Sequence, residues 1–124
     1  MKNTYKTFAL TLIIFLSSSI GAIAQPLVGN YTINSGLASG GTNFQSFTDF
    51  SNALTLNGIT GNVIADVVIG SGPYNEQVIF TAVGGASPSA SVTINGNGET
   101  ITAVTTTTDR HVIRLTDVEF FNID

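Results

Sequence analysis

The chain has 124 residues, eight of them acidic and four basic, and no cysteine. A net charge of −4 with no basic cluster excludes a phosphate-neutralising nucleic-acid binder, and the lack of thiols excludes disulfide frameworks, thiolate zinc sites and cysteine nucleophiles. The length accommodates one small domain and excludes a large multidomain enzyme.

In chain order, residues 1–24 carry the three parts of a cleavable export signal. Lys2 and Lys6 form a positive n-region, Phe8 to Ile20 an apolar core of 13 residues, and Ala22-Ile23-Ala24 a small-x-small cleavage site. A membrane-spanning helix needs about 20 apolar residues, so the pattern favours a signal over an anchor. Cleavage makes Gln25 the mature N-terminus, leaves 100 residues and, with Lys2 and Lys6 removed, takes the net charge from −4 to −6. No second apolar run of spanning length follows. The expected destination is outside the cytoplasm, secreted or at the cell surface, with no membrane span after signal cleavage.

Of the 100 residues from Gln25, 44 are Gly, Thr, Asn or Ser, a composition suited to turns and strands and unsuited to a helical bundle. Residues 25–60 read as an N-terminal strand, a loop and a helix. Tyr31-Thr32-Ile33 is the short strand, inside a Gly-, Ser- and Asn-rich stretch from Gly29 to Gly41. Ser46-Phe47-Thr48-Asp49 fits the S-x-x-D form of a capping box, and Phe47, Phe50, Ala53 and Leu54 recur at three- and four-residue spacing. Asn57-Gly58 supplies the stop. The prediction is one short amphipathic helix over Phe47 to Leu56.

Residues 61–124 change period from about 3.6 to about 2, the switch from helix to strand. Strands are predicted at Val63 to Ile69, Gln77 to Phe80, Ser91 to Asn95, Thr100 to Val104, His111 to Leu115 and Phe120 to Ile123, separated by Gly, Pro, Ser, Asn or Thr runs. Asp117 and Glu119, alternating with Val118 and Phe120, predict a solvated strand face. Thr105 to Thr108 predicts a turn. A weak self-similarity places Val92 over Val112 and Ile101 over Phe121 at an offset of 20, and Ile94 over Leu115 at 21. Stacked repeats of that length predict an all-β parallel solenoid, with an immunoglobulin-like β-sandwich as the alternative.

Phe44 to Leu56, Gly61-Asn62-Val63, the run Gly72-Pro73-Tyr74-Asn75-Glu76-Gln77-Val78-Ile79-Phe80, and Val92-Thr93-Ile94-Asn95-Gly96 together resemble the opening of secreted right-handed parallel β-helix proteins of the pectin lyase-like superfamily. The resemblance is nearest to large surface and secreted proteins of Bacteroidetes-type bacteria. It implies a short capping helix followed by the first coils of a β-helix over 61–124. A segment of that length holds a stack near its minimum, and the expectation is an incomplete coil set whose open C-terminal coil is available for docking or edge pairing. Pectin methylesterases share the G-x-Y-x-E start, here Gly72, Tyr74 and Glu76. The aspartate, glutamine and arginine motifs that carry their chemistry have no counterpart in this sequence.

Two places in the sequence concentrate polar chemistry. Tyr74 and Glu76 could meet a sugar hydroxyl, against the plainer reading that an aromatic after Pro73 packs over the first coil. Asp109-Arg110-His111 sets an acid, a cation and a base together, yet strand alternation turns adjacent side chains apart and no nucleophile or second acid stands nearby. Tyr74, Glu76, Arg110 and His111 are therefore candidate binding residues, with no catalytic residue, metal ligand or cofactor motif assigned. The function these features predict is a non-catalytic adhesive or carbohydrate-contacting scaffold with a polysaccharide or cell-surface glycan as partner. The rival expectation is the N-terminal fragment of a pectin esterase- or lyase-like enzyme whose catalytic residues lie outside this chain.

Overall fold

The computed structural model describes residues 24–124. The export-signal reading of residues 1–24 lies outside the described residues, apart from Ala24. Nine short strands and one helix alternate with turns, in the order β1 (Leu27–Ile33), β2 (Asn43–Phe44), α1 (Phe47–Asn57), β3 (Ile59–Val67), β4 (Tyr74–Asn75), β5 (Val78–Phe80), β6 (Val92–Asn95), β7 (Ile101–Thr102), β8 (Ile113–Leu115) and β9 (Phe121–Ile123). The β-rich class expected from composition is what forms.

The strands build three sheets. The first has five strands in the order β2-β1-β3-β6-β9, the second pairs β4 with β7, and the third pairs β5 with β8. Each of these pairings is parallel. From β3 onward the chain visits the first, second and third sheets in turn, repeats that order through β6, β7 and β8, and returns to the first sheet at β9. An immunoglobulin-like sandwich, built from antiparallel sheets, is not the arrangement adopted.

The stacking expected from self-similarity, Val92 over Val112 and Ile101 over Phe121, is corrected by the register. Val63 pairs with Val92 and Val92 with Phe121, two steps of equal length along the chain, while Tyr74 pairs with Ile101 and Val78 with Ile113. Val92 therefore lies beside Phe121 and not beside Val112. The shorter offset matched apolar clusters belonging to different sheets. Apolar residues at alternate positions recur in several strands, and only pairing tells them apart.

Helix α1 forms where its capping signals stand. The Ser46 hydroxyl accepts the Asp49 backbone N–H at 3.0 Å, and the Gly58 N–H donates to the Leu54 carbonyl at 2.9 Å. Gly58 adopts φ 65°, and a Cβ there would sit 2.6 Å from the Gly84 carbonyl oxygen, so both conformation and space require glycine. The buried face of α1, Phe47, Phe50, Ser51 and Leu54, packs against β1 and β5. The Ser51 hydroxyl reaches across to the Ile79 carbonyl at 2.5 Å, tying the helix to the free edge of the third sheet.

Alternation places Ile33, Val63, Ala65, Val67, Val92 and Ile94 inside the first sheet and Tyr74, Val78 and Phe80 inside the other two. A chain of aromatic contacts crosses this interior. Tyr31 meets Phe44 at 5.6 Å between ring centroids, Phe44 meets Phe50 at 5.2 Å, Phe50 meets Phe80 at 6.4 Å, and Phe80 meets Phe121 at 4.9 Å. These tilted and edge-on pairs contribute beyond the area they bury.

The strand expected at Asp117 to Phe120 is replaced by a turn. Asp117 and Phe120 both take φ 52°, which interrupts extended backbone, while Val118 tucks partly against the core. The Thr105–Thr108 segment is a turn as expected, with the Thr106 N–H donating to the Asp109 carbonyl at 2.9 Å. Two strands escaped the sequence reading, β2 and β4, each only two residues long.

Phe50 is fully buried at the centre of the aromatic chain. Phe50→Ala is expected to lower unfolding free energy by about 3–5 kcal/mol in chemical denaturation, and Gly58→Ala by about 1–3 kcal/mol through strain and the blocked approach of Gly84.

Candidate functional site

Parallel pairing sets each outward side chain of the first sheet beside its counterpart on the next strand. One outward row runs Asn43, Thr32, Asp66 and Asn95, because Thr32 pairs with both Asn43 and Asp66, and Asp66 pairs with Asn95. Asp124 extends it: its N–H donates to the Ile94 carbonyl and its carbonyl accepts the Gly96 N–H, which sets it opposite Asn95. The neighbouring row is Asn30, Ile64, Thr93 and Asn122. Within the first row, the Thr32 hydroxyl donates to the Asn43 side-chain carbonyl at 2.8 Å, and the Asn95 amide donates to an Asp66 carboxylate oxygen at 2.6 Å.

Strands in a sheet lie about 4.8 Å apart. The face therefore presents amide, hydroxyl and carboxylate groups at that interval across the strands, interrupted in the second row by Ile64. These groups donate and accept hydrogen bonds without demanding a charged ligand. Asp66 and Asp124 are the acidic members.

The four residues singled out in the sequence are not brought together as one site. Tyr74 is buried in β4, its ring edge-on to Phe47 at 5.0 Å and its hydroxyl donating to the Ile33 carbonyl at 3.1 Å. Glu76 turns to the start of α1. One carboxylate oxygen accepts the Phe47 N–H at 3.0 Å, and the other accepts the Thr48 N–H at 2.9 Å and the Thr48 hydroxyl at 2.5 Å. A helix N-terminus exposes unpaired N–H groups and the positive end of its dipole, so a carboxylate from another element is a favoured partner there. Both residues are occupied in holding the fold.

Arg110 and His111 stand elsewhere, at the Thr105–Asp109 turn. The Arg110 guanidinium donates through Nε to the Thr107 carbonyl at 3.0 Å. His111 Nδ1 lies 2.8 Å from an Asp109 carboxylate oxygen, with the imidazole 15% exposed and Asp109 48% exposed. The Gln77 side-chain amide pins this turn from below, donating to the His111 carbonyl at 2.8 Å and the Asp109 carbonyl at 3.3 Å. A His held by a carboxylate can serve as a general base, but Nε2, the atom that would receive a proton, is buried and has no hydrogen-bond partner. The arrangement orients an imidazole without presenting a hydroxyl to it. Among the described residues, no three His, Asp or Glu side chains converge to hold a metal ion.

Two polar residues missed by the sequence reading join successive passes of the chain. The Glu99 carboxylate accepts the Gly70 N–H at 2.6 Å and the Gly72 N–H at 2.8 Å, and the Asn97 amide donates to the Val67 carbonyl at 2.8 Å. Their partners are backbone groups of the preceding pass, for which no local motif exists.

The chain matches no protein-family model, no curated protein and no solved structure. No helix among the described residues is long and apolar enough to cross a membrane.

Removing the Glu76 carboxylate strands two backbone donors at the helix start. Glu76→Ala is expected to cost about 2 kcal/mol of stability and Glu76→Gln roughly half of that, since charge-assisted bonds are the stronger ones. Thermal melts of the two variants beside the parent check the order.

Proposed function

We propose that the chain is an exported, non-catalytic scaffold of the right-handed parallel β-helix type, capped by α1, that contacts polysaccharide or a cell-surface glycan. Three features support the architecture: the evenly spaced recurrence of parallel pairing on the first sheet, the fixed order in which the chain visits the three sheets, and the general right-handedness of parallel crossovers. The resemblance of Gly72-Pro73-Tyr74-Asn75-Glu76 and its neighbours to secreted pectin lyase-like proteins points the same way. The signal-like pattern of residues 1–24 supports secretion or surface display.

The observation that carries the binding reading is the pair of outward polar rows on the first sheet. An extended glycan crossing the strands meets Thr32, Asp66 and Asn95 at a regular interval in one row, and Asn30, then apolar Ile64, then Thr93 and Asn122 in the other. A scaffold reading suits these groups better than an enzymatic one, because Tyr74 and Glu76 are consumed structurally and His111 Nε2 faces no partner.

The test is glycan-array binding by the purified chain, run beside an assay for released reducing ends and unsaturated products. Saturable binding without turnover is expected. Thr93→Ala combined with Asn122→Ala removes two outward groups and should weaken binding by about tenfold, the worth of one to two hydrogen bonds, while leaving the melting temperature close to that of the parent. Product release, or an array with no bound glycan, overturns the proposal.

A further inference from the structure

The outward row Asn43, Thr32, Asp66 and Asn95 is unevenly supplied with donors and acceptors. Most of its donors are committed within the row or to the adjoining loop. The Thr32 hydroxyl donates to the Asn43 side-chain carbonyl at 2.8 Å, and the Asn43 amide donates to the Leu37 and Ala38 carbonyls at 3.1 and 3.3 Å. One Asn95 N–H is taken by an Asp66 carboxylate oxygen at 2.6 Å. What remains for a ligand is chiefly acceptor: the Thr32 oxygen lone pairs, the second Asp66 oxygen and the Asn95 side-chain carbonyl. Register sets these three acceptors on the adjacent strands β1, β3 and β6, with Asp66 in the middle.

Charge has the same sign as this surplus. Among the described residues the Lys and Arg side chains are Arg110 and Arg114 alone, and neither stands on the first sheet. Arg110 closes on the Thr107 carbonyl, and Arg114 lies on β8, paired with Ile79. Asp66 is half-buried and has no ion-pair partner among the described residues. A carboxylate in that position gains most from a charged donor. A polyuronate would bring acceptors and negative charge to a row that already has both. A neutral glycan supplies hydroxyl donors. A free amino sugar supplies an ammonium, which has three donors, no acceptor and the opposite charge. Ile64, two positions before Asp66 on the same face of β3, offers an apolar patch to the C–H face of the ring.

We infer that the glycan taken by this face carries unacetylated amino sugars, with an ammonium seated on Asp66 between the Thr32 oxygen and the Asn95 carbonyl, and that polyuronates are rejected. This rests on the glycan-contacting reading above and narrows its ligand class. It also parts the chain from pectin-type polymers, whose repeating carboxylates would face Asp66 with no cation to receive them.

The test measures binding of the full chain to three oligomers of equal length at mildly acidic pH: β-linked glucosamine, the same oligomer fully N-acetylated, and galacturonate. The free-amine oligomer should bind about five- to tenfold tighter than its acetylated counterpart, the difference between a charge-assisted and a neutral hydrogen bond. That gap should narrow as salt is raised, and galacturonate should show no saturable binding. Asp66→Asn keeps an acceptor for the Asn95 N–H and should bring the two glucosamine oligomers to one affinity. Any polycation is drawn to an acidic chain, so Glu119→Gln, which removes the same charge from the exposed turn before β9, should leave the gap intact. Where Asp66→Asn fails to fold, shifts of the Asp66 and Asn95 amide resonances on adding the free-amine oligomer to the parent chain decide. An acetylated oligomer bound as tightly as the free amine, a gap that survives Asp66→Asn or vanishes with Glu119→Gln, unmoved resonances, or saturable galacturonate binding overturns this inference and leaves the broader glycan reading standing. Absence of binding to all three oligomers and to the array overturns both.

Discussion

The structure depends on parallel, in-register pairing between evenly spaced strands of the first sheet. Because Val63, Val92 and Phe121 occupy the same level of successive strands, the buried apolar residues stand beside one another, and outward polar residues stand beside polar ones except at Ile64. A slip of one residue would turn every side chain to the opposite face, burying Asp66 and Asn95 and exposing Ala65 and Ile94. The alternation on each strand and the lengths of the turns between strands have to agree for this register to exist.

Polar side chains secure that register along the backbone as well as between faces. Asn62 accepts the Ser91 N–H, Asn95 donates to Asp66, Asn97 donates to the Val67 carbonyl, and Glu99 takes the Gly70 and Gly72 N–H groups. Each joins one pass of the chain to the next. Such bonds satisfy turn groups that a short strand leaves unpaired, which is how the shortest strands persist. Glu76 does the same service at the helix end, where it couples the orientation of α1 to the second and third sheets. The aromatic chain from Tyr31 to Phe121 supplies the apolar counterpart.

This construction separates the surfaces of the molecule by chemistry. The outward face of the first sheet carries rows of polar side chains interrupted at Ile64, the α1 end is closed, and the β9 end is apolar with an acidic margin. The His111–Asp109 pair belongs to none of these surfaces. It sits in a turn held by Gln77 and Arg110, with Nε2 buried and without a hydrogen-bond partner.

The amino-acid sequence by itself determined the local features: a β-rich chain, one helix with its Ser46 cap and Gly58 stop, most strand positions, and the turn at Thr105–Thr108. These follow from side-chain period, capping chemistry and backbone preference, all of which act within a few residues. It did not determine the register that sets Val92 beside Phe121, the short strands β2 and β4, the positive-φ turn at Asp117 and Phe120, or the partners of Glu76 and Glu99. Those rest on contacts between segments far apart along the chain, where many apolar clusters look alike and only simultaneous packing, turn length and hydrogen-bond satisfaction select one pairing. Glu76 illustrates the difference. The sequence shows a carboxylate near a tyrosine, and the tertiary structure alone brings the start of a helix within its reach.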